Sequence, residues 1–170
     1  MAIWVALLRA VNLGARNKVP MAALREALEA EGFATVQTYI ASGNVVYEHA
    51  KAEPAAIERV VAREFGVKTV VFVRSRAQIR RLAASHPFGD DTSRSFVAFL
   101  DSKPSAKAVR ALRETAADDE AELVGGDLVL RYPGGYQSAT LTAARLEKAL
   151  GVAATSRNWR TVAALAELVG

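Results

Sequence analysis

Hydrophobic and polar positions in the first half of the chain alternate between short apolar runs and segments with helical periodicity. The run Ile3–Leu8 is apolar throughout, which is typical of a central strand buried on both faces. Apolar residues recur at helical spacing in two segments, and a proline and a glycine flank each. These are the predicted helices, Met21–Glu31 and Pro54–Phe65. Further strands are predicted over Phe33–Ala41, Val45–Glu48 and Thr69–Val73.

The same order of elements is predicted again in the second half. A strand, a helix, a hairpin of two strands, a helix and a short strand follow one another: Ser95–Leu100, Pro104–Thr115, Ala121–Val124, Leu128–Tyr132, Leu141–Leu150 and Val152–Ser156. Thr140 is the predicted cap of the second helix, and Asn158 that of a final helix, Trp159–Leu168. The two hairpin turns, Ser42–Asn44 and Gly125–Asp127, fall at matching positions.

This order predicts an α+β fold built from two ferredoxin-like (βαββαβ) subdomains in tandem, each followed by an extra helix. The first extra helix begins at a capping box, Ser75 to Gln78. His86-Pro87-Phe88-Gly89 ends that helix, so the predicted domains are residues 1–86 and 87–170. The repeat is one of pattern, because the residues of the two halves are not similar.

Composition narrows the class of protein. Apolar residues make up 51% of the chain and charged residues 24%, which is ordinary for a globular protein with a real core. No apolar run is long enough to cross a bilayer, and no basic segment precedes the first apolar run as in a signal peptide. There are no cysteines, which excludes disulfides, thiol catalysis and cysteine-ligated zinc. We therefore expect a cytoplasmic protein without a membrane partner.

The charge is unevenly distributed along the chain, with a net value of +4. Residues 1–25 and 65–89 contain basic residues and no acid, whereas acids concentrate in residues 114–127. Two interpretations are open at this point. The basic segments are either a solvated surface or the binding site of a partner that carries phosphate or carboxylate.

The predicted topology brings several polar residues of the basic first half to one sheet edge. A right-handed crossover makes the first two strands parallel, so the loop after the first strand and the hairpin after the second lie together. The turn Gly66–Lys68 reaches the same edge. The candidate ligand-binding residues there are Arg9, Asn12, Asn17, Lys18, Ser42 and Asn44. A second polar cluster, with Arg157 and Asn158 as candidates, leads into the last helix and could hold an anion at the helix start.

Each candidate also has a structural interpretation. Asn12 can hold a turn through its side chain, and hairpin chemistry alone accounts for Gly43 and Asn44. Asn158 can be an ordinary helix cap, with Arg157 stacked on Trp159 or paired with an acid.

Several kinds of site are excluded or disfavoured. Neither a GxxxxGK[ST] nor a GxGxxG loop is present, so no standard nucleotide loop and no cofactor are predicted. Two histidines without cysteine give no zinc site, and no metal site is predicted. His49 lies at the far end of its strand, and His86-Pro87 is more typical of a helix end than of a catalytic group. Catalytic residues therefore stay unknown. The third strand offers only Tyr47, which disfavours RNA binding of the RRM type.

Three separated motifs resemble the DUF1697 family of uncharacterised bacterial proteins. They are LLRAVNLGARNKVPM from Leu7, TYIASGNVV from Thr38 and LGVAATSRNWRTV from Leu150, and the resemblance extends over essentially the whole chain. It implies paired ferredoxin-like subdomains and assigns no activity. The family commonly has glycine where this chain has Ala10 and Ala15, and often a basic residue near Ser138 and Ala139.

The sequence thus predicts a protein that binds an anionic, phosphate-bearing small molecule or nucleic acid at a basic edge. That edge combines the loop after the first strand with the first hairpin. An enzyme of unknown reaction using the same site, and a structural or interaction module without a ligand, are the alternatives. Whether the protein is an enzyme, and its oligomeric state, stay open.

Overall fold

The structure, a computed structural model, describes all residues from Met1 to Gly170. The chain forms two compact units. One contains Met1–Arg80 together with Ala164–Gly170, and the other contains Arg81–Ala163. No helix is at once long enough and apolar enough to cross a lipid bilayer.

The first unit is built around a four-stranded antiparallel sheet in the order β2-β3-β1-β4. Its elements are β1 (Ala2–Leu8), α1 (Met21–Ala30), β2 (Ala34–Tyr39), β3 (Asn44–His49), α2 (Pro54–Phe65), β4 (Val71–Ser75) and the start of α3 (Arg76–Ala83). Because β1 and β2 are both antiparallel to β3, they are parallel to each other, as predicted. The strand β1 lies between β3 and β4, and its residues Val5–Leu8 are fully buried. This confirms the central strand inferred from its unbroken apolar run.

The second unit repeats this arrangement with a sheet in the order β6-β7-β5-β8. Its elements are β5 (Ser95–Leu100), α4 (Ala106–Glu114), β6 (Glu120–Val124), β7 (Asp127–Arg131), a 3₁₀ turn (Tyr136–Ser138), α5 (Ala143–Leu150), β8 (Ala154–Asn158) and the start of α6 (Trp159–Val169), whose residues from Ala164 belong to the first unit. The predicted α+β class and the repeated order of elements are confirmed, with six helices and two four-stranded antiparallel sheets.

The helix ends agree with the predicted ones where proline, glycine or a capping residue marks them. The helix α2 begins at Pro54 and is followed by Gly66 at φ 65°, a left-handed conformation that glycine adopts without strain. The capping box at α3 is confirmed, since Gln78 N donates to Ser75 Oγ (3.2 Å) and Ser75 N donates to Gln78 Oε1 (2.7 Å). Asn158 caps α6, as predicted, by accepting the N–H of Thr161 at 2.9 Å.

Several boundaries were predicted wrongly. The strand β2 ends at Tyr39 and the helix α4 begins at Ala106, each two residues inside the predicted range. The cap of α5 is Thr142, not Thr140, and the helix begins at Ala143. The reason is Asp119, whose Oδ2 accepts the N–H groups of Thr140 and Leu141 at 2.6 and 2.9 Å and so holds this segment outside the helix. The strands β4 and β8 each begin two residues later than predicted, at Val71 and Ala154.

Each unit has its own hydrophobic core on the helical face of its sheet. In the first unit, Leu24 and Leu28 of α1 and Ile57 and Val61 of α2 pack with Tyr47 of β3. In the second, side chains of α4, α5 and the sheet pack together, among them Val109, Leu112, Leu130, Leu146 and Leu150. Full burial of one such side chain stabilises a fold by about 1.5–3 kcal/mol. The cores therefore fix the sheets, and with them the loops at the sheet edges.

Candidate functional site

The loop after β1 and the turn between β2 and β3 are joined directly. Leu8 N donates to Gly43 O at 2.8 Å, and Asn12 Nδ2 donates to Ala41 O at 2.6 Å. These bonds span more than 25 residues of sequence. The convergence of the two segments, inferred from the parallel arrangement of β1 and β2, is confirmed.

The segment before β4 reaches the same place. Arg9 N donates to Val70 O at 3.0 Å, and Thr69 Oγ1 donates to Arg9 O at 2.6 Å. We call the surface formed by residues 9–20, 40–43 and 66–70 the basic edge. It consists of three loops bound to one another through main-chain groups, so its shape is set by the sheet beneath it.

The backbone of the basic edge is unusually strained. Seven non-glycine residues of the chain have positive φ, and four of them lie here: Ala10 (56°), Asn12 (54°), Asn17 (51°) and Ile40 (48°). Asparagine tolerates this region, but a β-branched residue such as Ile40 does so only under strain. Ala10 stands where the resemblance to DUF1697 gives glycine, which would adopt φ 56° freely. Such strain persists only where the surrounding structure enforces it, and it is frequent at functional sites.

The candidate asparagines use their side chains within the protein. Asn12 Nδ2 also donates to Val19 O (2.9 Å), and its Oδ1 accepts from Val19 N (2.8 Å). Asn17 Nδ2 donates to Ala10 O (2.9 Å). Asn44 is fully buried, and its Nδ2 donates to Tyr39 O (3.0 Å) and to Ser42 Oγ (2.9 Å). These amides, with the hydroxyl of Ser42, shape the loops.

Gly43 is required by close packing as well as by its conformation. It is buried at φ 91°, and a Cβ at this position would lie 2.7 Å from Val11 Cγ2 and 2.9 Å from Leu8 Cβ. Both distances are shorter than real Cβ contacts. The turn therefore presses directly on the end of β1, which explains its glycine without a ligand.

The cations of the basic edge differ from the asparagines. Arg16, Lys18 and Lys68 are exposed and form no ion pair, whereas ion pairs elsewhere join Arg63 to Glu31 and Arg131 to Glu120. Arg9 is partly buried, and its main chain is held as described above. Three exposed positive charges that form no ion pair are thus available to an external anion, although Glu58 lines the same small pocket as Lys68 and accepts the N–H of Val71.

The two remaining candidates, Arg157 and Asn158, belong to the second unit. Arg157 Nη1 donates to Thr155 Oγ1 (2.8 Å) and Ser156 O (2.9 Å), and burial lowers the pKa of Arg157 to about 10. Asn158 is exposed, and its Oδ1 accepts the N–H and the hydroxyl of Thr161, both at 2.9 Å. The capping role of Asn158, one of the two interpretations of this cluster, is thereby observed.

A pair of residues in the second unit had no signal in the sequence. His86 Nε2 and Ser95 Oγ are 2.8 Å apart, and His86 Nδ1 lies 2.7 Å from Gly89 O. Ser95 lines a groove with a volume of about 720 Å³. The nine-residue separation falls across a loop without periodicity, so no pattern joined the two residues. The other histidine, His49, lies at the opposite end of β3 from the basic edge, as predicted.

Comparison with known proteins gives a family and a fold. No curated protein matches the sequence. The structure is similar to that of a conserved bacterial protein, SP0830, from Streptococcus pneumoniae, with a TM-score of 0.73 and 20% sequence identity over 99% of each chain. At this identity the likeness concerns the fold alone. The model of a family described as proteins of unknown function, DUF1697, matches residues 1–129. The chain therefore belongs to the DUF1697 family.

Proposed function

We propose that the protein binds an anionic, phosphate-bearing ligand, a small molecule or a nucleic acid, at the basic edge of its first unit. The observation that carries this proposal is the set of exposed cations, Arg16, Lys18 and Lys68, which lie on interlocked loops and form no ion pair within the protein. Hydrogen bonds from cations to phosphate are roughly twice as strong as those between neutral groups.

The polar candidates take different parts in this proposal. The amides of Asn12, Asn17 and Asn44 hold the loops, because their donors already meet main-chain oxygens or Ser42. The cations contact the ligand. Arg157 and Asn158, whose polar atoms bond within the second unit, support that unit and not the ligand.

Preorganisation supports the proposal independently of charge. Each residue held at an unfavourable φ costs on the order of 1–3 kcal/mol, and Ala10 and Ile40 both carry such a cost in adjoining loops. That cost is met by the core and by the bonds between the loops. An anion would then meet cations on a rigid frame, and little binding energy would be lost in ordering it.

We extend the proposal to fold family and compartment. Both sheets have the same strand order, and each order corresponds to the ferredoxin-like βαββαβ arrangement. We propose that each of the two compact units is one such subdomain. The absence of cysteine supports a reducing, cytoplasmic environment.

The test compares two double variants of equal charge. Arg16→Ala with Lys18→Ala removes two cations from the basic edge, and Lys107→Ala with Arg110→Ala removes two exposed cations from α4 of the second unit. Affinities for inorganic phosphate and for a single-stranded oligonucleotide are measured from about 50 to about 200 mM salt.

We expect the first variant, but not the second, to weaken binding. For the oligonucleotide, the slope of log affinity against log salt falls by about 0.7 per lost contact, so by about 1.4 for two. Tight binding of phosphate with no gain for the oligonucleotide identifies a small-molecule site. Equal loss in both variants, or no binding at low salt, contradicts the proposal.

A further inference from the structure

The two hydrogen-bond partners of the His86 ring, Gly89 O and Ser95 Oγ, determine which ring nitrogen donates and which accepts. Gly89 O can only accept, so Nδ1 of the neutral imidazole carries the proton that meets it at 2.7 Å. The lone pair of Nε2 then faces Ser95 Oγ at 2.8 Å and accepts the hydroxyl proton. This is the arrangement of a nucleophile beside its general base, with a carbonyl oxygen orienting the base.

The imidazole ring is held in place by aromatic neighbours. Trp159 lies edge-to-face with His86 at 4.7 Å between ring centroids, and Phe88 does so at 5.8 Å. With both nitrogens bonded and two rings against it, the imidazole has one orientation. A base fixed in this way loses little entropy when a proton is transferred to it.

Ser95 is one of the residues that line a groove large enough for a small substrate. The groove has a volume of about 720 Å³, within the range of ligand sites in proteins. Ser95 is only 1% exposed, so a substrate in the groove reaches its hydroxyl only when neighbouring side chains of the groove wall move aside. Phe96 and Trp159 give the lining apolar area, and Arg160 gives it an exposed cation that forms no ion pair.

We propose that this groove is a second site, a hydrolase site for small carboxylic esters, with Ser95 as nucleophile and His86 as general base. Arg160 stabilises the negative charge that develops on the ester carbonyl oxygen. The proposal goes beyond anion binding at the basic edge and shares no residue with it.

The reaction balances with water as the only co-reactant. Ser95 Oγ bonds to the carbonyl carbon while its proton passes to His86 Nε2, and the carbonyl oxygen becomes negative. The carbonyl re-forms, the bond to the alkoxy group breaks, and His86 returns the proton to the leaving alcohol. Water then gives a proton to Nε2 as its oxygen attacks the acyl carbon. The acid leaves, and Ser95 recovers its proton.

A fluorophosphonate probe tests the proposal on the full chain. The serine oxygen displaces fluoride and forms a stable phosphonate ester, which mass spectrometry locates by residue. The variants are Ser95→Ala and His86→Gln. The control is Ser93→Ala, because Ser93 lines the same groove but bonds Asp91 instead of a histidine. Hydrolysis of p-nitrophenyl acetate is followed in parallel.

We expect labelling at Ser95, its loss in Ser95→Ala, a rate about 100-fold or more lower in His86→Gln, and no change in Ser93→Ala. Labelling of the unaltered protein at Ser95 tests the proposal even if a variant fails to fold. Absence of labelling at Ser95, or equal labelling in His86→Gln, overturns it. Phosphate binding at the basic edge should be unchanged in His86→Gln, so either proposal can fail alone.

Discussion

Replacing Gly43 by alanine perturbs the contact that joins the β2–β3 turn to the end of β1. The added Cβ would lie 2.7 Å from Val11 Cγ2 and 2.9 Å from Leu8 Cβ. Leu8 is fully buried in the central strand and Val11 is nearly so, which leaves neither much room to move. The substitution therefore disturbs the packing contact that holds the β2–β3 turn against β1 in the basic edge.

Two contributions set the size of the effect. A left-handed backbone costs a residue with a Cβ about 1–2 kcal/mol. Crowding a well-packed interior costs typically about 1–3 kcal/mol more. We expect Gly43→Ala to lower the free energy of unfolding of the first unit by about 2–5 kcal/mol.

Gly32→Ala is the matched control for the backbone contribution. Gly32 has φ 98°, close to the 91° of Gly43, but a Cβ there would have no atom within 4 Å. The control should lose only the backbone contribution, about 1–2 kcal/mol. The change that alanine makes to the unfolded chain is the same at both positions and cancels. The difference between the two variants, about 1–3 kcal/mol, therefore measures the crowding at Gly43.

Urea denaturation followed by tryptophan fluorescence measures this difference. The chain has two tryptophans, Trp4 in the first unit and Trp159 in the second. In a Trp159→Phe background, the fluorescence of Trp4, whose Nε1 donates to His49 O at 3.1 Å, reports the first unit alone. Equal destabilisation by Gly43→Ala and Gly32→Ala would refute the inference that the turn is packed against β1.

Three further predictions use the same assay or a related one. Asn12→Ala leaves three main-chain groups without partners and should destabilise the first unit by about 1–3 kcal/mol, measured through Trp4; a loss below that of Asn17→Ala, which removes one bond, would contradict it. Burial raises the pKa of Tyr47, so the folded state favours the neutral phenol. The free energy of unfolding should keep its full value below about pH 10 and fall as the pH rises further. In Tyr47→Phe the urea midpoint should fall less steeply with pH. Thr142→Ala should cost about 1 kcal/mol through loss of the α5 cap and Thr140→Ala less, measured by thermal unfolding; the reverse order would restore Thr140 as the cap.

The sequence predicted the parts of the fold that local chemistry determines. Pro54 and Gly66 delimit α2, and the apolar run to Leu8 identifies the central strand, because each depends on a few adjacent residues. The boundary at α5 was wrong for the opposite reason. Asp119, more than 20 residues away in sequence, holds the N–H groups before the helix, and no local pattern reveals that bond.

The candidate site was predicted in location more than in detail. Topology brought the loop containing Asn12 to the first hairpin, because parallel strands end at the same sheet edge. The left-handed conformation of Ile40 could not be predicted, since its β-branched side chain argues against it and only the surrounding fold enforces it. The contact of His86 with Ser95 depends on the path of an irregular loop, which has no periodicity to read.

Amide chemical-shift mapping with inorganic phosphate is the most direct test of anion binding at the basic edge. Two-dimensional NMR spectra of the full chain are recorded during a phosphate titration at low salt. We expect saturable shifts, with one dissociation constant, in residues 9–20, 40–43 and 66–70, and their loss in the Arg16→Ala, Lys18→Ala double variant. Shifts that do not saturate, or that are spread over the exposed cations of both units, would contradict it.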